Sequence, residues 1–170
     1  MVISFLIWLE NLMPFSALRS SAYSYPVILA LHLSAISLFG ATIVATDLRL
    51  LGVALSDSPA SDVIRRLRTP KRIGFILAAA CGFLLFASKA EEYYYNPVFR
   101  TKMVLFVLIA IHALVFRSSV YAEPAGSDST LPRSASARLA AVLSLTLWLA
   151  VLCAGRAIGY IEGRPGMHFK

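Results

Sequence analysis

The chain has 170 residues, of which 58% are apolar and only 15% are charged, and its mean hydropathy is +0.73. Soluble domains carry nearer a quarter of charged residues, so the surplus apolar surface has to face lipid. A membrane-spanning helix takes about 20 residues, which allows about four or five spans and excludes a large paired-repeat transporter or a sizeable extramembrane enzyme domain. The net charge of +7 does not indicate nucleic acid, because the basic residues lie at the ends of apolar stretches, where a membrane accounts for them.

Residues 1–13, MVISFLIWLENLM, are predicted to form a helix that lies in the membrane interface. The segment ends at Pro14 and is too short to cross a hydrocarbon core of about 30 Å. It also lacks the basic start and the small-residue cleavage site of a signal peptide. Its large apolar side chains recur about one turn apart on one face, and we expect Glu10 and Asn11 to face water on the other.

Charge-free stretches predict four transmembrane helices, at about 22–46, 72–90, 98–118 and 137–160, within a single transmembrane domain of residues 1–170. The later stretches are slightly short, but the basic side chains that flank them can extend to the interface and lengthen the usable span. The apolar runs lack the period-2 alternation of strands. The predicted fold is therefore all-α, an integral membrane four-helix up-down bundle with an N-terminal interfacial helix.

The connection from Leu48 to Arg72 holds six of the sixteen basic residues. Its middle, SDSPASDVIRRLR, predicts a short amphipathic helix that is capped by Ser58, starts at Pro59 and places its arginines among anionic headgroups. The positive-inside rule puts this loop in the cytoplasm and both termini outside. The connection that begins at Glu123 is rich in Pro, Gly and Ser and is predicted to be a flexible linker.

Two histidines, His32 in the first span and His112 in the third, are the ionisable residues expected deep inside the membrane. Such residues are rare in spans, so a function is the default hypothesis. Counted from the charged residues that flank each span, the two imidazoles differ by about 5 Å in depth. A b-type haem explains two histidines on alternate helices at similar depth, because its iron takes an imidazole on each face. The sequence therefore predicts that His32 and His112 are the metal ligands of one haem b.

Other residues fit a haem between the helices. Gly74, Ala78 and Gly82 form a flat strip on the second span, which lets a porphyrin face or another backbone come close. The basic residues expected at the outer end, where haem propionates need cations, are Lys89, Arg100, Lys102 and Arg156. Each feature has an alternative, because small-residue strips often serve helix packing and terminal basic residues often anchor a span to lipid. The histidines themselves have as alternatives a purely structural role, a copper or other metal site, and a proton path.

Two further patterns have structural interpretations. Asp47, at the inner end of the first span, is expected to pair with Arg49, Arg72 or Arg138. Six of the seven tyrosines fall at the outer ends of the spans, as interfacial anchors do.

Several short motifs are spread over most of the chain: Trp8-Leu9-Glu10, Tyr25-Pro26, Leu31-His32, Asp47-Leu48-Arg49-Leu50-Leu51-Gly52, Asn96-Pro97 with Phe99 and Lys102, Leu147-Trp148, and Gly155-Arg156. Together they resemble a family of small bacterial four-helix membrane proteins of uncharacterised function. The resemblance supports four spans and draws attention to His32, Asp47, Arg49 and Arg156, but it implies no activity. By architecture alone, the bundle is also similar to b-type cytochrome membrane subunits and to copper-resistance membrane proteins.

The leading hypothesis is a multi-pass protein of the bacterial inner (cytoplasmic) membrane with periplasmic termini. It would carry electrons through haem b between a quinone or a membrane partner and an acceptor at the outer face, as an electron carrier or membrane subunit rather than a stand-alone enzyme. One alternative is a cofactor-free accessory or structural subunit of a larger membrane complex, or a homo-oligomer. Another is a copper-binding membrane protein that uses the same histidines with Met13 or Met103. No phosphate loop, nucleophile elbow or zinc-ligand spacing indicates soluble-enzyme chemistry.

Overall fold

The computed structural model describes residues 1–55, 58–116 and 135–161, and these residues form helices without any strand. In chain order the helices are α1 (Val2–Asn11), α2 (Met13–Ser20), α3 (Ser24–Leu51), α4 (Ala60–Ser88), α5 (Ala90–Tyr95), α6 (Pro97–Phe116) and α7 (Ala135–Ala157), followed by a 3-10 turn at Ile158–Tyr160. Four of them, α3, α4, α6 and α7, are long and apolar enough to cross a membrane. This confirms the prediction of an all-helical, multi-pass membrane protein. The predicted linker that begins at Glu123 lies outside the described residues.

The N-terminal segment forms two short helices rather than one. α1 and α2 meet at a bend of 68°, and Pro14 lies in the first turn of α2. The prediction that Glu10 faces water is wrong. Its carboxylate is largely covered, pairs with Arg19 of α2 and accepts a hydrogen bond from the backbone N–H of Glu91 at 3.2 Å. Glu10 therefore ties α1 to both α2 and α5.

The amphipathic segment predicted as a separate surface helix is the first part of α4. This helix runs from Ala60 to Ser88 through Pro70. Its 29 residues extend about 44 Å, which exceeds a hydrocarbon core of about 30 Å and carries the basic first turns beyond it. The predicted cap is also wrong, because Pro59 occupies the N-cap position. The Ser58 carbonyl instead accepts a hydrogen bond from Arg49 Nε at 2.7 Å.

Among the spans, α4 packs on α3, α3 packs on α7, and α7 packs on α6. Phe39 marks the middle of this arrangement, because its backbone touches Gly74 of α4 and its ring meets Trp148 of α7 at 5.0 Å. Of the other three spans, α6 packs along its length against α7 alone. The side of the bundle between α4 and α6 is therefore not closed by helix packing.

The two ends of the bundle differ in composition. We call the end that contains Tyr25, Tyr93 and Asn96 the tyrosine end, and the end that contains Arg49 and Arg66 the arginine end. A small apolar core lies at the arginine end, formed by Leu50, Ala137, Ala140 and Ala141 with Leu51 and Phe116 packed against it. The alanines of α7 let α3 and α6 approach closely there, because they present little side-chain volume.

Candidate functional site

His32 projects from α3 toward α4. A Cβ atom at Gly82 would lie only 2.9 Å from His32 Cε1, so the glycine makes room for the imidazole. The ring also interacts with the backbone of Ala78, one turn earlier on α4. Its Nδ1 atom is buried and has no hydrogen-bond partner among the described residues. Burying a polar atom without a partner costs about 1–3 kcal/mol, which makes Nδ1 a candidate ligand-binding atom.

Lys102 reaches the same level from α6. Its Nζ atom lies 3.4 Å from the position of a Cβ at Gly155 of α7, and 5.7 Å from the centroid of the Phe106 ring. The ammonium group is close enough to His32 to act on it electrostatically. No carboxylate of the described ranges pairs with it. Because an uncompensated charge inside a span is costly, Lys102 is the second candidate ligand-binding group.

An aromatic cluster covers this site on the side of the tyrosine end. The Phe86 ring of α4 stacks on the Phe99 ring of α6, with centroids 5.4 Å apart and planes 6° apart, and Tyr93 packs against both rings. The Tyr93 hydroxyl hydrogen-bonds to the Tyr25 hydroxyl at 3.3 Å. Burial raises the pKa of Tyr93, and the bond to Tyr25 and the Glu92 charge raise it further. Tyr93 is therefore a half-buried residue that packs within this cluster.

Asn96 fixes where α6 begins and thereby where Lys102 lies. Its Oδ1 atom accepts hydrogen bonds from the backbone N–H groups of Val98 at 2.9 Å and Phe99 at 3.1 Å, which caps the helix. Its Nδ2 atom donates to the carbonyls of Ile158 at 3.4 Å and Ile161 at 2.7 Å, beyond the end of α7. One buried side chain thus joins the start of α6 to the segment that follows α7.

His112 lies at a different level from His32. Its Nε2 atom hydrogen-bonds to the carbonyl oxygen of Ala140 at 2.9 Å, and its ring packs on Phe116 at 4.9 Å. Ala140 belongs to the core at the arginine end. It is about four turns, or roughly 22 Å, along α7 from Gly155, the residue that Lys102 approaches.

The estimate that the two histidines differ by only 5 Å in depth is therefore wrong. It treated Lys102 as an anchor at the membrane surface, whereas this side chain lies inside the bundle. A haem with two histidine ligands needs both imidazoles within bonding distance of one iron, so His32 and His112 do not fit it in this arrangement. Gly82, expected to accommodate a porphyrin, accommodates the His32 ring instead.

A metal site built from a larger ligand set is not evident either. The described part of the chain holds no group of three or more His, Cys, Asp or Glu side chains placed to bind a metal ion. The copper alternative stays a prediction.

The two other predicted cofactor-binding residues lie at the tyrosine end and have partners within the chain. Lys89 Nζ pairs with Glu92 at 3.3 Å and lies 5.5 Å from the centroid of the Tyr25 ring. Arg156 donates a hydrogen bond to the Tyr160 hydroxyl at 2.7 Å and covers its ring. Of the basic residues expected there, Lys102 is the one that faces inward.

Asp47 belongs to the opposite end of the bundle. It is only 1% exposed, and Lys71 of α4, which the sequence pattern did not indicate as a partner, lies close enough to interact with its charge. Arg49, one of the predicted partners, directs its Nε atom to the Ser58 carbonyl. A buried carboxylate and a partly buried ammonium group therefore lie within electrostatic range of each other between α3 and α4.

Comparison with known proteins identifies the family. No curated protein and no solved structure matches the chain, so the likeness to b-type cytochrome subunits rests on architecture alone. A family model matches residues 21–161, which include all four spans and both candidate ligand-binding groups. This confirms the prediction of an uncharacterised family: the chain belongs to a family of unknown function, DUF6644.

Proposed function

We propose that this membrane protein binds a lipid-soluble molecule that carries hydrogen-bond acceptor oxygens, and that quinones are the class that fits best. The observation that carries the proposal is the pair of inward groups, His32 Nδ1 and Lys102 Nζ, which reach one level from α3 and α6. Among the described residues, Nδ1 has no hydrogen-bond partner and Nζ has no carboxylate partner. A quinone has two carbonyl oxygens on a flat apolar ring. The Lys102 ammonium can donate a hydrogen bond to one of these oxygens. The other nitrogen of the His32 ring bonds to the Ala78 backbone, so Nδ1 can accept a hydrogen bond from the hydroxyl that the second oxygen carries in the reduced ligand.

The surroundings of the two groups suit such a ligand. α4 and α6 are not packed along their length, so a molecule dissolved in the bilayer can enter between them. Phe106 of α6 is exposed beside Lys102 and offers apolar surface. The stacked rings of Phe86 and Phe99 offer a flat face for another ring.

The ammonium group also bears on reactivity. Reduction of a quinone places negative charge on its oxygens, and a fixed cation in a low-dielectric site stabilises that charge. Lys102 would therefore favour the reduced ligand.

Binding to the delipidated, purified protein tests the proposal, with a decyl benzoquinone and a decyl naphthoquinone as probes. Lys102→Met and His32→Leu are each expected to weaken binding about tenfold or more, the value of one charge-assisted hydrogen bond. Arg100→Met is the matched control on the exposed side of α6. His112→Leu is the second control, and it is expected to bind like the wild type. Absence of binding to the wild type, or equal binding by all four variants, would overturn the proposal.

We further infer that the four spans form an up-down bundle in the bacterial inner membrane with the arginine end in the cytoplasm. The support is the concentration of basic residues at that end, since such residues are retained on the cytoplasmic side. Replacing both native cysteines and introducing one at Ser61 tests this. Labelling by a membrane-impermeant reagent in intact spheroplasts would contradict it.

A second candidate function, an accessory subunit of a membrane complex or a homo-oligomer, is favoured by α6. None of its 20 residues is buried, whereas each of the other spans contributes buried residues. In this case α6 docks against another membrane helix. A cysteine at Val107 of α6 would then cross-link to a partner, whereas one at Val27 of α3 would not. Equal and weak cross-linking at both positions would leave α6 facing lipid and would reject this candidate.

A further inference from the structure

A cavity of about 220 Å³ lies at the arginine end, between the last turns of α3 and the first turns of α4. This is several times the volume of one water molecule in the liquid, about 30 Å³. Ala45 of α3 and Val63 and Leu67 of α4 form an apolar wall, and Arg66 and Asp62 provide the polar part of the lining. The cavity therefore combines an apolar surface with a guanidinium group.

The charge available to a ligand in this cavity is positive. The Asp62 carboxylate is already paired with Arg65, whose Nη2 atom lies 3.1 Å from Oδ1. Arg66 is exposed, and no carboxylate of the described ranges pairs with it. Arg49 adds a second positive charge nearby, because its Nε atom donates to the carbonyl of Ser58, another lining residue.

The position of the cavity along α4 places it at the level of lipid headgroups. α4 extends about 44 Å from Ala60 to Ser88, so the turns that carry Val63, Arg66 and Leu67 lie at one end of it, beyond a hydrocarbon core of about 30 Å. A guanidinium group binds phosphate oxygens in a bidentate manner. An apolar wall directly beside it suits the glycerol and first acyl carbons of the same molecule.

We infer that this cavity is a binding site for the phosphate group of an anionic phospholipid. Arg66 holds the phosphate, and Val63 and Leu67 contact the start of an acyl chain. Inorganic phosphate has the same charge chemistry but no apolar part, so it cannot use this wall. The inference is independent of the site at the tyrosine end.

The test uses the full-length protein, purified in a neutral maltoside detergent. Dioleoyl-phosphatidylglycerol, dioleoyl-phosphatidylcholine and inorganic phosphate are added separately, and native mass spectrometry and thermal denaturation report binding. Phosphatidylglycerol is expected to remain bound at one molecule per chain and to raise the melting temperature, and the other two are not. Arg66→Gln is expected to lower the affinity for phosphatidylglycerol about tenfold, the value of one bidentate pair.

Arg68→Gln is the matched control, because it removes the same charge from an exposed position on α4 that does not line the cavity. Leu67→Gln tests the apolar wall and is expected to weaken phospholipid binding while Arg66 is intact. Equal losses in Arg66→Gln and Arg68→Gln would show diffuse attraction to the basic surface and overturn the site. An equal thermal shift with inorganic phosphate would overturn the phospholipid as its occupant. The lipid-free melting temperature of each variant shows whether it is folded.

Discussion

The two ends of the bundle differ in whether an inward-facing charged group has a charge of opposite sign beside it. At the arginine end, Asp47 is 1% exposed and faces the charge of Lys71. At the tyrosine end, Lys102 faces inward with no carboxylate of the described chain beside it, and His32 Nδ1 is buried without a hydrogen bond. A chain that only has to fold pairs its buried polar groups. Each end holds one buried side-chain atom without a hydrogen bond among the described residues, Asp47 Oδ2 and His32 Nδ1, but only at the arginine end does a charge of opposite sign lie within range. Our proposal of a ligand from outside the chain accounts for this difference at the tyrosine end.

Removing the charge of Asp47 is the most severe test of this comparison. Asp47→Leu leaves the partly buried Lys71 ammonium without the opposite charge beside it, and the free energy of unfolding is expected to fall by about 3 kcal/mol, the lower end of the range for a buried pair. The double variant Asp47→Leu with Lys71→Met is expected to recover most of this loss. Lys102→Met, by contrast, is expected to keep or raise stability. Unfolding in mixed micelles measures all four proteins, and a loss in Lys102→Met as large as in Asp47→Leu would abolish the distinction.

Asn96 provides a contrast to His32 and Lys102 within the tyrosine end. It is buried there, but its side-chain amide both donates and accepts hydrogen bonds. Asn96→Ala is expected to cost about 2–3 kcal/mol, through the lost helix cap and through carbonyls that lose their donor. Asn96→Asp keeps an oxygen for the cap and loses the donor, so an intermediate cost is expected. Thermal denaturation of the ligand-free protein distinguishes them. Equal stability of the wild type and both variants would show that the bonds of Asn96 do not fix the start of α6.

The architecture follows from the sequence more readily than the site does. Apolar stretches of span length predict four helices regardless of how they pack, because lipid requires each backbone to satisfy its own hydrogen bonds. Hydropathy finds only the part of a helix inside the hydrocarbon, however. It therefore separated the basic segment before Pro70 from the rest of α4, although the helix continues through this proline.

The candidate site depends on the orientation of side chains about each helix axis, which a prediction of membrane spans does not provide. His32 is recognisable because an ionisable residue in mid-span is rare. Lys102 lies near a span end, where a basic residue is most simply interpreted as a lipid anchor. Its inward direction depends on the start of α6 at Pro97, which the bonds of Asn96 fix by joining α6 to the end of α7. Composition and periodicity do not predict contacts between residues that are this far apart in the sequence.

Substitutions of three glycines test whether one part of the α3–α4 contact supports helix packing and another part supports the candidate site. A Cβ at Gly74 would lie 2.9 Å from the backbone nitrogen of Phe39, so Gly74→Ala is expected to cost about 1–3 kcal/mol of stability. Gly40 has open space around it, and Gly40→Ala is expected to be neutral or stabilising by up to about 1 kcal/mol. Gly82→Ala would displace the His32 ring. It is expected to reduce the favourable free energy of quinone binding by more than it lowers the free energy of unfolding. Normal quinone binding by Gly82→Ala would separate His32 from the site.

The smallest effect is expected from the hydroxyl pair that covers the site. Tyr93 has a pKa raised mainly by burial, so it is neutral in the folded protein at pH values where an unfolded tyrosine ionises. An ordinary tyrosine has a pKa of about 10. The contribution of Tyr93 to stability is therefore complete below that pH and is lost progressively as the pH rises above it.

Tyr93→Phe removes this alkaline loss, and near neutral pH it costs only about 0.5–1.5 kcal/mol for the hydrogen bond to Tyr25. Melting temperatures from pH 7 to about pH 11 measure both effects, with Tyr94→Phe as the control for an exposed ring on the same helix. If Tyr93→Phe loses stability with rising pH as steeply as the wild type, the Tyr93 hydroxyl is in contact with water. The tyrosine end would then be open at its surface, and an unpaired Lys102 would be solvated rather than poised for a ligand.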